Sequence, residues 1–328
     1  MHSTTDEAMH GIVGNCDSLL QTKTIVGRYR SCDASVLILG ESGTGKELVA
    51  RAIHYISDRA EGPFVPVNCG ALPDELLENE LFGHEQGAFT GARGSVPGLI
   101  EQAEGGTLFL DEIGTLSLRG QCALLRFLQS KEFRRLGSRR LQSANVRVFA
   151  ATNADLNDMV ALGGFRQDLL YRLNILRIVL PPLRDRGNDI DLLAGHFIAR
   201  FCRQYNMPDK QLSAAASQWL YAHDWPGNIR ELENLLHRAI LSCPGTVIQR
   251  EDLTPDQDSS LTPSMPYTRL NMDLSFQDAK AEVISQFERH YLEALMNRCN
   301  GNVSQAARVA GKERRALGKL LKKYGLSR

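Results

Sequence analysis

A glycine-rich segment between a strand pattern and a helix pattern constrains the fold of this chain more than any other feature. Residues 40–46 read GESGTGK, after the apolar run VLIL and before the amphipathic run KELVARAIHYI. Glycines let the backbone wrap its N–H groups around a phosphate chain, and the helix N-terminus together with Lys46 adds positive charge. Strand, loop and helix in this order therefore predict a phosphate-binding loop and disfavour a simple tight turn.

The residues assigned to nucleotide binding in this loop are Gly40, Glu41, Ser42, Gly43, Thr44, Gly45, Lys46 and Glu47. Glu47 departs from the general pattern, in which a serine or threonine follows the lysine and contacts magnesium. A carboxylate cannot simply replace that hydroxyl beside phosphate oxygens. Metal ligation is therefore expected to rest on other groups, such as Thr44 and acidic residues elsewhere in the domain.

The segments around this loop predict an α/β fold with a doubly wound parallel sheet. Helical patterns alternate with short strand-forming runs as far as Pro181 and Pro182, and several of these runs are apolar on both faces. Strands covered by helices on both sides have this composition. The predicted strands lie within 35–40, 64–69, 107–112, 146–153 and 176–180.

Changes in periodicity and composition divide the rest of the chain. A helical stripe of Leu232, Leu235, Leu236, Ala239 and Ile240 predicts the buried face of a small all-helical lid. The predicted boundaries are a loose N-terminus at 1–10, the α/β domain at 11–180, the lid at 181–252, a polar, proline-containing linker at 253–275 and a three-helix module at 276–328.

An acidic pair ends one of the predicted strands. TLFLDE places Asp111 and Glu112 at the carboxyl end of an apolar run, where ligands bind in open α/β sheets. Asp111 is suited to hold a hydrated magnesium ion, and Glu112 to polarise an attacking water as a general base. In one domain with Lys46, this pair supplies the second half of a nucleotide site.

Polar residues that end two other strands are candidates to sense a terminal phosphate. These are Thr152 and Asn153 after VRVFAA, and Asn68 after FVPV, which can also hydrogen-bond Glu112. The alternative is that each side chain satisfies local backbone groups at a strand-to-loop turn.

Three arginines are candidates for phosphate contacts. Arg166 and Arg172 lie in GGFRQDLLYRLN, six positions apart, so they do not share one helix face unless the helix breaks between them. One of them can neutralise charge on a nucleotide, often across a subunit boundary; the alternative for Arg166 is a surface ion pair with Asp168. Arg230, in the first helical turn after Trp225 and Pro226, can reach back to the nucleotide of its own chain.

A loop between Asn68 and the acidic strand has an unusual composition. Gly87, Ala88, Phe89, Thr90, Gly91 and Ala92 set one aromatic among small residues, which cannot pack a regular helix or strand. We expect a flexible loop that presents Phe89 to another macromolecule. A hairpin with Phe89 folded beneath itself is the alternative.

The C-terminal module is basic although the whole chain is neutral. Lys plus Arg and Asp plus Glu are both 38, but residues 276–328 contain 11 basic and five acidic residues. Two helical runs, at 304–311 and 312–325, meet in a turn at Gly311 and have the layout of a helix-turn-helix. The stripe formed by Leu317, Leu320, Leu321 and Tyr324 is predicted to be buried. The candidates for contacts with double-stranded DNA are Lys312, Arg314, Arg315, Lys319 and Lys322.

Composition also excludes several classes. No apolar run approaches the roughly 18 residues that span a bilayer, and the N-terminus lacks a signal-peptide pattern, so no membrane partner is expected. The seven cysteines are scattered without a C-x-x-C pair, which argues against a disulfide framework or a zinc site and fits a cytoplasmic protein.

These motifs together resemble the sigma-54-dependent transcription activators, the bacterial enhancer-binding proteins of the AAA+ superfamily. The resemblance covers residues 11–252 and 276–328. GESGTGKE matches the phosphate loop of that family, including the glutamate after the lysine, and GAFTGA is its most specific signature. The C-terminal module resembles its Fis-type helix-turn-helix.

The resemblance implies roles for residues that match family motifs. Ile12 and Val13, in GIVG, match the segment that packs on adenine. Asn68 matches the residue that restrains the catalytic glutamate, and Thr152 with Asn153 matches sensor I. Arg166 and Arg172 match trans-acting arginine fingers, and Arg230 matches sensor II.

The family further implies ATP and Mg²⁺ as ligands, and a hexamer that binds enhancer DNA as dimers. Its GAFTGA loop is expected to contact sigma-54, so that ATP hydrolysis converts closed complexes of RNA polymerase into open ones. The ATPase motifs begin about ten residues from Met1, so we expect no N-terminal sensing domain within this sequence. The expectation is a subgroup regulated in trans, or a form whose sensor lies elsewhere. The alternatives are an AAA+ remodeller of another substrate and a DNA-binding regulator with a nucleotide switch.

Overall fold

The computed structural model describes residues 11–71, 74–89, 92–253 and 302–325, with positions 277, 284–285, 288–289, 291–292, 295–296 and 299 between the last two ranges. The chain forms two compact units that divide after residue 255. The predicted loose residues 1–10 and nearly all of the predicted linker at 253–275 lie outside this description, so these predicted boundaries stay predictions.

The first unit is built on a five-stranded parallel sheet with the order β2-β5-β8-β1-β9. All five strands of this sheet were predicted from the sequence, and each is confirmed to within two residues at either end. The strands among the described residues are β1 (Val36–Leu39), β2 (Phe64–Asn68), β3 (Gly83–His84), β4 (Val96–Pro97), β5 (Thr107–Asp111), β6 (Glu132–Phe133), β7 (Gln142–Ser143), β8 (Arg147–Thr152), β9 (Leu176–Val179), β10 (Gln211–Leu212) and β11 (Val247–Ile248).

Helices cover both faces of this sheet, which explains why its strands are apolar in both directions. One face buries Leu108 and Leu110, and the opposite face buries Phe109 and Phe149. The helices of the first unit are Asp17–Arg28, Lys46–Tyr55, Asp74–Phe82, Leu99–Gln102, Leu118–Ser130, Leu156–Ala161, Gln167–Leu173, Asp189–Gln204, Ala214–Ala222, Asn228–Ser242 and Arg250–Leu253, with 3₁₀ turns at Ile113–Thr115 and Leu183–Asp185.

The helices after residue 182 have a hydrophobic core of their own. Trp225 is its largest side chain and is fully buried, and its indole N–H donates to the carbonyl of Leu220 at 2.9 Å. The predicted stripe on helix Asn228–Ser242 is confirmed, because all five of its members are buried in this core. Fixing this helix against Trp225 places its first turn beside the sheet.

The C-terminal unit contains a helix pair, Val303–Val309 and Arg314–Lys323, around a turn in which Gly311 has a φ of 61°. Leu317 and Leu321 are buried, and Leu320 and Tyr324 pack against the same cluster, as predicted. The second helix begins later than the sequence indicated. Glu313 has extended backbone angles, so Lys312 lies in the turn and not on the helix.

No helix among the residues that the structure describes is long and apolar enough to cross a bilayer.

Burial of the apolar stripe on helix Asn228–Ser242 predicts the effect of truncating one of its side chains. Leu232 is fully buried, whereas Leu241 on the same helix is 50% exposed. Leu232→Ala should lower the free energy of unfolding by about 2–5 kcal/mol, because it removes buried methyl groups and leaves a cavity. Leu241→Ala should change it by no more than about 0.5 kcal/mol. Urea unfolding of both variants measures the difference, and equal effects would contradict the observed packing.

Candidate functional site

The phosphate loop connects β1 to helix Lys46–Tyr55 through two glycines in left-handed conformation, Gly43 with a φ of 77° and Gly45 with a φ of 96°. Side chains disfavour these angles, so the sequence folds here only because glycine is present. Lys46 begins the helix, and its Nζ donates to the carbonyls of Gly40 at 2.9 Å and Glu41 at 3.0 Å. The loop therefore curls around the ammonium group.

Lys46 is buried close to two carboxylates. Burial lowers its pKa because the protein interior disfavours the charged form, and the charges of Asp111 and Glu112 oppose that shift. The lysine and the acidic pair, predicted from separate motifs, are thus brought into one site.

The acidic pair lies where β5 ends. Asp111 is the last residue of the strand, and Glu112 has a φ of 55°, a left-handed conformation that is strained for a residue with a side chain. The backbone N–H of Glu112 donates to the Asp111 carboxylate at 3.0 Å. The turn therefore places two adjacent carboxylates, those of Asp111 and Glu112, at the end of one strand.

Asn68 lies beside this pair, because it is the register partner of Asp111 at the end of β2. Of the two alternatives for the Asn68 side chain, the structure has the local one. The Asn68 side-chain oxygen accepts from the N–H of Gly70 at 2.8 Å, so it satisfies its local turn. Gly70 itself approaches Glu112, since a Cβ there would lie 2.4 Å from a carboxylate oxygen.

Thr152 and Asn153 lie next to the phosphate loop at the end of β8. The N–H of Gly40 donates to the carbonyl of Thr152 at 3.3 Å. The Thr152 hydroxyl is buried and accepts from the N–H of Ala154, which is the local alternative foreseen from the sequence. Asn153 lines a cavity of about 310 Å³ together with Gly40 and Glu41.

Ile12 and Val13 border an apolar cavity of about 350 Å³ on the other side of the loop, shared with Leu48 and with lid residues such as Phe197. A planar base can enter such a space. The segment that follows is held by Asp189, whose buried carboxylate accepts the N–H groups of Asn15 at 2.6 Å and Cys16 at 3.0 Å. Asp189 was not singled out from the sequence.

The donor groups fit magnesium bound together with a nucleotide. Within the described ranges, no cluster of three or more His, Cys, Asp or Glu side chains can hold a metal by itself. Magnesium typically uses one or two carboxylates and completes its shell with phosphate oxygens and water. Asp111 and Glu112 beside the loop match that requirement. Glu47 does not take part in this cluster, because it pairs with Arg51 on the helix surface at 2.7 Å.

The lid contacts the loop through Arg230, whose guanidinium donates to the Ser42 hydroxyl at 3.3 Å. Sequence patterns did not reveal two further partners. Arg184 donates to both carboxylate oxygens of Glu41, at 2.9 and 2.5 Å, and Asn228 donates to one of them at 3.0 Å. These bonds, that from Arg184 above all, lower the pKa of Glu41 to about 2.

Arg166 and Arg172 occupy different positions, as the six-residue spacing suggested. Arg166 precedes helix Gln167–Leu173 and makes the surface ion pair with Asp168, at 2.6 Å. Arg172 lies in the last turn and donates to the carbonyl of Leu128 at 3.2 Å. Both are exposed, and their side chains bond to Asp168, Cys122 and Leu128 rather than to the phosphate loop.

The GAFTGA segment lies in the loop that connects β3 to β4, which pair as a short hairpin. Phe89 is 48% exposed and lies edge-on to His84, with ring centroids 5.0 Å apart. The structure thus combines both expectations, a hairpin base and a largely accessible aromatic ring. Thr90 and Gly91 lie outside the described residues.

A second hairpin, β6 with β7, is bound to this one. Leu136 exchanges backbone hydrogen bonds with Gly83 at 2.8 Å and with Glu85 at 3.0 Å. Arg135 binds the Glu101 carboxylate through two nitrogens and also reaches Ser95 at 2.8 Å. Arg135 lowers the pKa of Glu101, and the half-buried pair fixes the Phe89 hairpin to the body of the unit. A contact between residues this distant in sequence carries no local signal.

The C-terminal helix pair exposes the predicted basic residues. Lys312, Arg314, Arg315, Lys319 and Lys322 are all exposed. The opposite face of helix Arg314–Lys323 is packed through Leu317 and Leu321, so the basic side chains project away from the core.

The sheet order, the phosphate loop, the acidic pair and the helical lid define a P-loop NTPase of the AAA+ type. Residues 12–179 match the sigma-54 interaction domain, residues 184–266 the AAA+ ATPase lid domain, and residues 283–324 the bacterial regulatory proteins of the Fis family. The chain belongs to the family of sigma-54-dependent transcriptional activators.

Relatives across this family support the assignment. The regulatory protein AtoC of Escherichia coli is 44% identical over 96% of this chain and 68% of its own length. The sigma-54-dependent transcriptional activator SfnR of Pseudomonas putida is 55% identical over 67% of this chain and 60% of its own length. The nitrogen fixation protein AnfA of Azotobacter vinelandii is 43% identical over 96% of this chain and 58% of its own length. The chain thus spans about six tenths of the length of these relatives.

Solved structures of NtrX from Brucella abortus have the same fold at 35% identity. They cover 96% of this chain and 69% of NtrX, with TM-scores of 0.71 for the ADP complex and 0.70 for the ATP complex.

The close contact between Gly43 and the lid predicts the effect of adding one methyl group at position 43. A Cβ on Gly43 would lie 2.3 Å from the carbonyl oxygen of Gly227, and the φ of 77° adds strain. Gly43→Ala should therefore weaken binding of a fluorescent ATP analogue at least tenfold, measured by titration. Gly27→Ala is the control, because Gly27 lies on a helix with open space around it. Unchanged affinity of the Gly43 variant would contradict the geometry.

Proposed function

We propose that this chain is an ATP-driven activator that binds enhancer DNA and acts on the sigma-54 RNA polymerase holoenzyme. The observation that carries the proposal is the combination, in one unit, of the phosphate loop and acidic pair with the exposed Phe89 on a hairpin fixed to that unit. An exposed aromatic ring on such a hairpin is suited to contact a partner that the ATPase moves.

Each group at the sheet edge has a role in this proposal. The loop N–H groups and Lys46 bind the phosphates of ATP, while Asp111 holds Mg²⁺, which supplies charge neutralisation when bound. Glu112 accepts a proton from the attacking water. Thr152, Asn153 and Arg230 lie where they can respond to the terminal phosphate, and Asn68 restrains the turn next to Glu112.

The exposed arginines support a ring of identical subunits. Arg166 and Arg172 are exposed and bond to groups outside the phosphate loop of their own chain, so they are available to the nucleotide of a neighbouring protomer. We propose an active hexamer, with dimers on DNA. The basic face of the C-terminal helix pair binds the phosphates and base edges of the enhancer. We further propose that the protein works in the cytoplasm. We also propose that a trans-acting regulator controls it.

Glu112→Gln tests the catalytic base. The variant should bind ATP with near-normal affinity but hydrolyse it at least 100-fold more slowly, because the amide cannot accept the proton of the attacking water. Steady-state phosphate release and nucleotide titration separate the two properties. Glu61→Gln, at an exposed position of the same unit, is the control and should hydrolyse ATP normally. Normal turnover by the Glu112 variant would refute the assignment.

Phe89→Ala tests the loop and its partner. The variant should hydrolyse ATP at close to the normal rate and fail to open a sigma-54 promoter with purified RNA polymerase, because only the contact surface is lost. Val96→Ala, a truncation of similar exposure at the base of the same hairpin, should open the promoter as the unmodified protein does. Opening by the unmodified protein should require ATP and fail with ADP. ATP hydrolysis without any promoter opening would favour a remodeller of another substrate.

A further inference from the structure

A buried amide joins the phosphate loop to the lid. Asn228 has no exposed surface, and its side chain makes three hydrogen bonds to two separate segments. Its nitrogen donates to the Glu41 carboxylate and to the Ser42 carbonyl, both at 3.0 Å, and its oxygen accepts from the N–H of Leu183 at 2.8 Å. Leaving a buried donor or acceptor without its partner costs free energy of folding, so this position strongly favours asparagine.

The backbone beside Asn228 makes the contact continuous. The N–H of Ile229 donates to the carbonyl of Gly43 at 3.0 Å, and Gly227 closes on Gly43 so tightly that a Cβ could not fit. Arg184 adds a bidentate bond to Glu41. The middle of the phosphate loop is therefore bound to the start of helix Asn228–Ser242 at every residue from Glu41 to Gly43.

Arg230 is the next side chain to extend from this contact. Arg230 follows Asn228 by two residues in the same helical turn, and its guanidinium donates to the Ser42 hydroxyl at 3.3 Å. Asn228 has a φ of 51°, so the helix starts from a left-handed residue whose side chain is held on three sides. The direction of that first turn, and with it the position of Arg230, is set by these bonds.

We propose that Asn228 is a positioning residue for Arg230: its bonds to Glu41 and Ser42 fix the first turn of the lid helix to the phosphate loop, so that Arg230 follows the loop when a triphosphate binds. The inference rests on the proposed nucleotide site. It requires that Arg230 distinguishes a triphosphate from a diphosphate, and that this distinction passes through Asn228.

Asn228→Gly is the sharpest variant, because glycine accepts the left-handed backbone and only the side chain is lost. Asn234→Gly is the matched control, with the same change at an exposed position of the same helix. Equilibrium titrations with ADP and with a non-hydrolysable ATP analogue, both with Mg²⁺, give the ratio of the two affinities for each full-length protein.

We expect Arg230→Ala to lower the preference for the triphosphate about tenfold, the scale of one hydrogen bond to a charged group. Asn228→Gly should lower it by a similar factor, and the double variant should be no worse than Arg230→Ala, because both changes remove the same interaction. Asn234→Gly should leave the ratio unchanged.

Three results would overturn the proposal. Additive losses in the double variant would show that Asn228 acts independently of Arg230. Equal weakening of both nucleotides would show that it only stabilises the fold. An unchanged ratio in Arg230→Ala would remove the group that Asn228 is said to position.

Glu41→Gln provides a second route if Asn228→Gly does not fold. It removes the charge that binds Arg184 and the acceptor that faces Asn228, while its size is kept. Hydrogen exchange of the amides of Ile229 and Leu183 should then accelerate in the variant, and exchange that stays as slow as in the unmodified protein would contradict the linkage. A protein that prefers the triphosphate through Asn228 but does not hydrolyse ATP would refute the proposed function and leave this inference standing.

Discussion

The parallel register of the central sheet is the constraint on which the rest of the structure depends. In parallel pairing, the carboxyl ends of neighbouring strands meet at one edge, and here that edge collects the ends of β2, β5, β8 and β1. Asn68 pairs with Asp111, and Leu39 pairs with Thr152, just before the phosphate loop. The sheet register thus brings groups from four separate segments into one site. No direct contact between these groups is needed to keep them there.

The lid adds a second constraint, because it replaces solvent around the loop with fixed donors. Arg186 donates to the carbonyl of Thr44 at 2.9 Å, Arg184 binds Glu41, and Asn228 binds Ser42. A glycine-rich loop alone would lose much entropy on becoming ordered. These bonds come from residues at least 142 positions away, so the loop owes its defined shape to the lid as well as to its own sequence.

The elements and motifs with local signals could be predicted from sequence. The five strands are continuous apolar runs bounded by polar or glycine residues, and the loop, the acidic pair and the lid stripe are short patterns with a physical reason for their spacing. The features that could not be predicted are tertiary contacts. Nothing near Asn228 or Arg135 reveals that their partners lie in other segments. Both alternatives for Asn68 stayed open because strand register brings it beside Asp111 but does not decide which way an amide turns. The start of the last helix was misplaced because the helical pattern includes Lys312, whereas Glu313 is extended.

The hairpin that carries Phe89 and the β6–β7 hairpin bound to it connect distant parts of the site. After Asn68, the chain passes through helix Asp74–Phe82 into β3; after Glu112, it passes through helix Leu118–Ser130 into β6. These two paths leave neighbouring strand ends and meet again where Leu136 pairs with Gly83 and where Arg135 binds Glu101. The two backbone bonds of Leu136 join the hairpins directly, so a tilt of either hairpin strains these bonds. We therefore expect a displacement at the sheet edge to reach Phe89 as a movement of both hairpins together, rather than as a bend within one of them.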